Sequence, residues 1–210
     1  MQRVRVFIDY WNFQLSWNRW DKAAGGPAKP ASQRQCDWLA LPARLIDATS
    51  KQIASGGVVN GLQLQGTTVY ASIDPDGDVR LRRWLSDRIA RQAGFDVRLR
   101  DRKARRKDIH CKLCRTTTTH CPNCGEAYIG SPEKGVDAAI VTDLLSLAWQ
   151  GAYETAILVS GDADFIPAVE HVQSKGLKVV NASWRNRGHN LQRTCWASFH
   201  MDDIAEELCR

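Results

Sequence analysis

Acidic side chains stand directly after two apolar segments of the sequence, where they could bind a metal ion. Asp9 closes the first apolar segment, 3–9, and Asp162 and Asp164 follow a later one, 155–160. If both segments are strands of one parallel sheet, their carboxyl ends lie on the same rim, and such sheets bind ligands there. The pattern therefore predicts that these three carboxylates lie close together.

A further carboxylate is predicted to reach the same rim from a helix over residues 136–150. Counting about 100° per residue, Asp137 at the first turn falls on an apolar stripe. The stripe consists of Val141, Leu144 and Ala148. Asp137 is therefore predicted to face inward, where the helix dipole stabilises an anion. On the same count Asp143 lies about 120° away, and periodicity alone predicts that it is solvated.

Converging carboxylates of this kind repel one another and favour a divalent cation. Mg²⁺ takes oxygen ligands, keeps several waters and bridges to phosphate groups. Bound there, it could polarise a phosphodiester and activate a water for in-line attack. Each aspartate also has a simpler explanation, because aspartate commonly caps a helix N-terminus. Asp9 could cap a helix near Trp11, and Asp162 or Asp164 a helix from Phe165, but three such residues at one rim are harder to explain by capping alone.

Three segments together resemble the signature motifs of the NYN family, the LabA-like branch of the PIN-like nucleases. They are F-I-D-Y-W-N at 7–12, E-K-G-V-D at 133–137 and S-G-D-A-D-F at 160–165, in the family's order. Each motif is weak by itself, and the combination is highly specific. The similar region runs from residue 3 to about residue 200.

This resemblance implies a fold, a reaction and a site. The fold is a Rossmann-like, three-layer α/β fold with a mainly parallel central sheet. Mg²⁺ or Mn²⁺ would be bound by four catalytic acids, Asp9, Asp137, Asp162 and Asp164. Asn12 would act with them by orienting a metal-bound water or phosphate, and Lys134 would position the helix or a phosphate. The resemblance also reopens the role of Asp143, because similar domains often have an acid at this position.

Four of the seven cysteines form two C-x2-C pairs separated by six residues. They are Cys111, Cys114, Cys121 and Cys124. Four thiolates in this arrangement predict a closed and therefore structural zinc site, and Gly125 suits a knuckle turn. The spacer is shorter than usual for a zinc ribbon, and His110 or His120 could replace one cysteine. Redox-active C-x-x-C pairs and an iron–sulfur site are the alternatives.

A basic tract precedes and overlaps the cysteine pairs. Residues 98–112 carry eight lysines and arginines against two aspartates, in a chain with a net charge of +6 and a pI near 9.0. Such density creates a positive potential suited to phosphate backbones. The residues predicted to contact nucleic acid here are Arg102, Lys103, Arg105 and Arg106. The alternative is a solvated loop without a partner.

The loop W-R-N-R at 184–187, which follows a predicted strand, is a second candidate for nucleic-acid contact. Trp184 could stack a base while Arg185 and Arg187 hold phosphates. Trp11, beside Asp9, is a further candidate. The chain has eight tryptophans, and ordinary packing is the alternative for both rings.

Strands and helices alternate along the chain, which predicts a parallel sheet with helices on both faces. The predicted strands are 3–9, 67–72, 95–99, 155–160 and 177–182. The predicted helices are 39–54, 79–93, 136–150 and 165–175. A loop is predicted over 21–37, and a short strand near 199 precedes a short helix from 202. These elements predict one catalytic domain over 1–210, in which 100–130 form an insertion that carries the basic tract and the zinc knuckle.

The composition is that of a globular chain, with 43% hydrophobic and 25% charged residues. No apolar run approaches the roughly 18 residues of a membrane span, and the first residues lack the features of a signal peptide. The odd number of cysteines is unlike the disulfide framework of a secreted protein. Cys36, Cys195 and Cys209 are interpreted as ordinary thiols, and a cytoplasmic location is predicted.

The function predicted from these features is that of a metal-dependent endoribonuclease, which cleaves single-stranded RNA with carboxylate-bound Mg²⁺ or Mn²⁺. The resemblance to the NYN family favours RNA over DNA as the predicted substrate. The alternative is a non-catalytic, zinc-containing nucleic-acid-binding or scaffold protein with the same fold. A phosphatase of the haloacid dehalogenase type would need a second aspartate at position 11, which is tryptophan. The G-x-x-x-x-G-K-[ST] loop of nucleoside triphosphatases does not occur in the sequence.

Overall fold

The 210-residue chain is built around a six-stranded sheet, seen in a computed structural model. The structure describes residues 1–20, 35–54, 61–102, 105–130, 135–185 and 187–210. Most of the loop predicted over 21–37 lies outside the described residues, as do Lys103 and Lys134.

All neighbouring strands of this sheet are parallel. In chain order they are β1 (Gln2–Asp9), β2 (Leu62–Ile73), β3 (Phe95–Asp101), β4 (Thr155–Val159), β5 (Lys178–Ser183) and β6 (Ala197–His200). Their order across the sheet is β6-β5-β4-β1-β2-β3. The order reverses between β1 and β4, and doubly wound sheets open a ligand-binding crevice at the carboxyl ends of the strands beside such a reversal.

Helices cover both faces of the sheet. They are α1 (Tyr10–Trp20), α2 (Leu41–Ala54), α3 (Val79–Trp84), α4 (Val136–Trp149), α5 (Ile166–Ser174) and α6 (His189–Thr194). A π-helical turn, Leu85–Ile89, extends α3, and 3-10 turns lie at Ala163–Phe165, Met201–Asp203 and Glu206–Leu208. The four predicted helices are confirmed, whereas the sequence patterns do not predict α6 and the helix expected from 202 is a 3-10 turn. None of the helices in the described ranges is long and apolar enough to span a bilayer.

Strand β1 is buried on both faces, as its nearly continuous apolar sequence predicts. Val6 and Ile8 belong to the core that contains side chains of α1 and α2. Phe7 belongs to the core on the opposite face, with side chains of α4 and α5. Each of these fully buried side chains contributes roughly 1.5–3 kcal/mol to stability. The strand therefore holds Asp9, its last residue, on a rigid support.

The residues between β3 and α4 form two short antiparallel hairpins. Arg105–Arg106 pairs with Ile129–Gly130, and Ile109–His110 pairs with Thr117–Thr118 inside it. All these strand residues except Gly130 are exposed. The described part of this insertion buries little apolar surface, so it needs another source of folding free energy, as small modules without a core generally do.

Candidate active site

The buried carboxylate of Asp9 lies at the end of β1, beside the reversal of strand order. The residue is 6% exposed. Its Oδ1 accepts a hydrogen bond from the Asn12 N–H at 3.1 Å, and its Oδ2 accepts one from Ser160 Oγ at 3.2 Å. Because α1 begins at Tyr10, the carboxylate also lies at the positive end of a helix dipole. These interactions stabilise a negative charge that burial alone would disfavour.

Further hydrogen bonds connect the carboxyl ends of β1 and β4. Asn12 Oδ1 accepts from the Gly161 N–H at 3.0 Å. Ser160 Oγ donates to Asp9 and accepts from the Asp162 N–H at 3.2 Å. One serine hydroxyl therefore links the segments that carry the two aspartates. Ser160 belongs to the S-G-D motif, but charge and apolar periodicity give no reason to single it out from the sequence.

Asp162 caps the 3-10 turn Ala163–Phe165. Capping is the alternative to metal binding that the sequence leaves open for this residue. Its Oδ1 accepts from the Asp164 N–H at 3.0 Å. Phe165 is fully buried below the turn, Asp162 is half-buried and Asp164 is exposed. Capping does not exclude metal binding, because a carboxylate has two oxygens and about four lone pairs.

Two glycines allow the loops after β4 and β5 to approach closely. A Cβ atom on Gly161 would lie 3.2 Å from Arg187 Cβ and 3.3 Å from Gly188 N. Gly188 has a φ of +78°, and a Cβ there would lie 2.9 Å from Gly161 Cα. The close approach of the two loops therefore requires glycine at both positions. It also places the backbone of Arg187 beside the S-G-D motif.

The prediction that Asp137 faces inward is wrong. The buried residues of α4 are Val136, Ala139, Ile140 and Leu144, whereas Asp137 is exposed at the first turn. At about 100° per residue, the centre of the buried face lies roughly 85° from Asp137 and 35° from Asp143. Asp143 is therefore the acid on the inner side of the helix. Its side chain is 26% exposed, so the prediction of a solvated residue is also wrong.

Asp143 is held by side chains from β2 and β3. Tyr70 Oη donates to Asp143 Oδ2 at 2.9 Å, and Arg98 Nε lies 3.6 Å from the same oxygen. Burial, together with the neighbouring Asp143 carboxylate, raises the pKa of the Tyr70 hydroxyl. Tyr70 is the register partner of Asp9 on the adjacent strand. Asp143 is thus connected, through Tyr70, to β2, the strand next to β1.

Tyr70→Phe should lower the free energy of unfolding by about 1–2 kcal/mol, because a half-buried carboxylate loses its donor. Urea unfolding of the wild type and the variant measures this loss. The control is the same substitution in an Asp143→Asn background, where the loss should be clearly smaller. Equal losses in the two backgrounds would show that the hydroxyl does not act through Asp143.

Arg102 and Trp11 contact each other at the carboxyl end of β2. The Arg102 guanidinium carbon lies 4.9 Å from the centre of the Trp11 ring, and Nη2 lies 2.6 Å from Asp78 Oδ2. Trp11 Nε1 donates to the Ser72 carbonyl oxygen at 2.7 Å. Arg102 is therefore engaged within the protein, whereas Arg105 and Arg106 are exposed. Lys103 and Lys134 lie outside the described residues.

The proposed stacking of a base on Trp184 does not fit the structure. The ring is 6% exposed and packs against the rings of Phe13, Trp17 and Trp20. Its burial is explained by the cluster of aromatic side chains on α1. In the same loop, Arg185 forms an ion pair with Asp203 at 2.6 Å.

The two cysteine pairs lie on loops with the same backbone hydrogen bonds. In the first loop the Cys111 carbonyl accepts from the Arg115 N–H, and the Cys111 N–H donates to Thr116 O, both at 2.9 Å. In the second, the Cys121 carbonyl accepts from the Gly125 N–H at 2.9 Å, and the Cys121 N–H donates to Glu126 O at 2.7 Å. The fifth residue of each loop has a positive φ, 58° and 73°. Both loops therefore present their thiols from equivalent turns.

Thiolate character is enhanced in both loops. Hydrogen bonding with Thr116, and then with Cys111, lowers the pKa of Cys114 to about 7. Backbone amides of Cys124 and Asn123 lower the pKa of Cys121. The thiolate is the form of cysteine that binds metals. Across the described ranges, however, no group of three or more His, Cys, Asp or Glu side chains is arranged so that it could hold a metal ion.

The strand order, with helices on both faces of a parallel sheet, defines the class of protein, a Rossmann-like α/β protein with a PIN/NYN-like fold. The model of the NYN domain matches residues 3–202, and the chain belongs to this family. NYN domains are in general nuclease domains, which act on nucleic acids, and such nucleases generally use divalent metals such as Mg²⁺ or Mn²⁺.

Two comparisons with individual proteins say less about function than the family match does. An uncharacterized protein, y4oD, of Sinorhizobium fredii is 47% identical over 47 residues, which span 22% of each chain. The crystal structure of a protein of unknown function, VPA0982, from Vibrio parahaemolyticus has a TM-score of 0.57 and 18% identity, over 100% of this chain and 96% of that one. The second likeness supports the fold alone.

Proposed function

We propose that the protein is a metal-dependent endoribonuclease of the LabA-like branch, and that it cleaves single-stranded RNA at the carboxyl ends of β1 and β4. The observation that carries this proposal is the link from Asp9 through Ser160 to the Asp162 backbone. It holds a buried acid and a half-buried acid at the reversal of strand order, where doubly wound sheets bind ligands.

The donor set at this rim fits Mg²⁺ or Mn²⁺ in kind. Asp9 and Asp162 would hold the ion, and Asp164 and Asp137, both exposed, would complete the set. When bound, the ion would supply a Lewis acid and a more acidic water for hydrolysis of the phosphodiester. The side-chain oxygen of Asn12 accepts a hydrogen bond from the Gly161 backbone. Its side-chain NH2 group could then orient the water or a phosphate.

The reaction can be tested with labelled single-stranded RNA and single-stranded DNA of the same sequence. Purified protein is incubated with each in Mg²⁺, in Mn²⁺ and in excess chelator. Cleavage of RNA that requires the metal, and yields internal fragments, is the expected result. Binding of RNA without cleavage under all conditions would contradict the proposal and favour a non-catalytic nucleic-acid-binding role.

We also propose that the cysteine loops hold one structural zinc ion and present the basic tract. The two equivalent loops supply four thiols of the type that zinc prefers. Closing both loops on one ion would tie together an insertion whose short strands are exposed. The insertion directly follows β3 in the chain, and a cytoplasmic location would keep the thiols reduced.

The basic tract should govern binding more than catalysis. Replacing Lys103, Arg105 and Arg106 by alanine should weaken RNA binding and flatten its salt dependence, by up to about 0.7 in the log–log slope per lost phosphate contact. The fourfold variant that includes Arg102 should also lose stability, because Arg102 is packed on Trp11 and paired with Asp78. Filter binding across a salt series measures the slope, and the cleavage rate at saturating RNA should change much less.

A control variant removes positive charge elsewhere, at the exposed Lys51 and Arg91. It should leave the salt slope close to that of the wild type. If the tract variant also has the wild-type affinity and slope, the tract is only a charged surface. The RNA strand would then bind elsewhere, and Arg187, beside Gly161, is the next candidate for contact with it.

A further inference from the structure

Two cysteines far apart in the sequence lie directly opposite each other. Cys36 and Cys209 form an antiparallel bridge. The Asp37 N–H donates to Leu208 O at 2.8 Å, and the Arg210 N–H donates to Gln35 O at 2.9 Å. Because these bonds flank the two cysteines instead of joining them, the cysteines occupy a non-hydrogen-bonded position. Residues opposite each other at such a position have the shorter of the two Cα separations in antiparallel pairs, about 4.5 Å.

This separation suits a disulfide bond. Disulfide-bonded cysteines have Cα atoms about 4.4–6.8 Å apart, and side chains directly opposite each other project to the same face. An Arg210–Asp37 ion pair of 2.7 Å spans the same bridge and supports its register. Both cysteines are half-buried and pack against the core under α1 and α2. The Cys209 thiol donates a hydrogen bond to the Ala205 carbonyl oxygen at 3.5 Å, which the thiol must give up when it forms a disulfide.

We propose that Cys36 and Cys209 are a disulfide-forming pair whose oxidant is a low-molecular-weight disulfide. One cysteine attacks the oxidant, forms a mixed disulfide and releases one small thiol. The second cysteine then displaces the other small thiol and forms the Cys36–Cys209 bond. The two cysteine protons leave on the two released thiols, so the oxidant is reduced as the pair is oxidised. This inference does not depend on the proposed nuclease activity.

The bond would have a large effect on stability, because it closes residues 36–209, most of the chain, into one loop. Constraint of the unfolded chain by such long loops is the main stabilising effect of a disulfide in the chain-entropy description. For a chain of this size the expected rise in the midpoint of thermal unfolding is about 10 °C. Burial raises the pKa of the Cys36 thiol, so the exchange should be faster at alkaline pH, where more thiolate is present.

The experiment uses the full chain, folded, with and without oxidised glutathione. Peptide mapping by mass spectrometry should find a Cys36–Cys209 cross-link after oxidation, and dithiothreitol should remove it. The thermal midpoint should rise with the cross-link and fall again on reduction. Cys36→Ser and Cys209→Ser should each abolish both changes, and Cys195→Ser, which alters a buried cysteine of the other core, should retain them.

Mapping of the wild type decides the question even if a serine variant fails to fold. Oxidised protein in which Cys36 and Cys209 carry only separate glutathione adducts, or pair with other cysteines, would overturn the proposal. So would a cross-link that forms only in denaturant. Cross-links within the loops of Cys111 and Cys121 are mapped separately and do not count for the proposal.

Discussion

Asp9→Asn and Asp162→Asn should each reduce metal-dependent RNA cleavage about a hundredfold or more. This corresponds to a loss on the order of 3 kcal/mol of transition-state stabilisation. Both substitutions remove a metal-binding negative charge while they keep an oxygen that accepts a hydrogen bond. The Asn12 N–H can still be bound at position 9 and the Asp164 N–H at position 162. Because asparagine caps helices about as well as aspartate, the fold should be retained.

Initial rates with labelled RNA in Mg²⁺ measure this effect, and circular dichroism and thermal unfolding check the fold. Asp47→Asn is the matched control, since Asp47 is an exposed carboxylate on α2, and its rate should equal that of the wild type. RNA affinity in chelator should change little in all three variants. Unchanged cleavage in both active-site variants would exclude the proposed site, even if the protein is a nuclease.

The two acids of α4 differ in whether they face the sheet. Asp137 carries the family motif but is exposed, whereas Asp143 faces the sheet and is bound by Tyr70. Periodicity fails here for a physical reason. The helix is apolar on most of its circumference, with Ala138, Val141 and Leu145 in addition to its buried residues, and a helix of this kind has no single apolar stripe to count from.

The fold follows from the sequence because each strand is marked in its own residues. Continuous apolar runs predict β1 and β4, and Gly94, Gly151 and Gly176, all with positive φ, follow helical segments and separate them from the next strands. The sequence does not predict α6, because six residues are too few to show a period of 3.6. The positions of Asp9 and Asp162 beyond the ends of β1 and β4 are likewise predictable, because they need only the strand ends. In parallel sheets, ligands bind at the carboxyl ends of the strands.

Contacts made by residues distant in sequence could not be predicted. The Ser160 hydroxyl is recognised only when β1 and β4 are seen side by side. Trp184 stands directly before two arginines of its loop, Arg185 and Arg187, and its burial results from aromatic rings of α1 that packing brings together. The pairing of Cys36 with Cys209 depends on two segments at opposite ends of the sequence, and an odd number of cysteines hides such a pair.

Removal of the zinc ion should strongly destabilise the insertion. Metal analysis of the purified protein should find about one zinc per chain, as one four-thiolate site requires. Cys111→Ser or Cys124→Ser should lower the zinc content and destabilise the insertion, because zinc binding there contributes folding free energy. The six-stranded sheet should persist, since its two cores contain no side chain from the described part of the insertion. Protease digestion should then cut first between residues 105 and 130, while circular dichroism changes little.

Cys209→Ser is the control for loss of a thiol outside the loops, and it should keep the full zinc content and the protease resistance of the insertion. A chelator added to the wild type should reproduce the protease pattern of Cys111→Ser. The variant Cys111→Ser/Cys124→Ser gives the strictest measurement, because it removes one thiol from each loop and leaves two at most for the ion. Two thiols cannot form a closed tetrahedral site. If this variant still binds one zinc per chain with wild-type affinity, the ion is held elsewhere and the loops are not a zinc site.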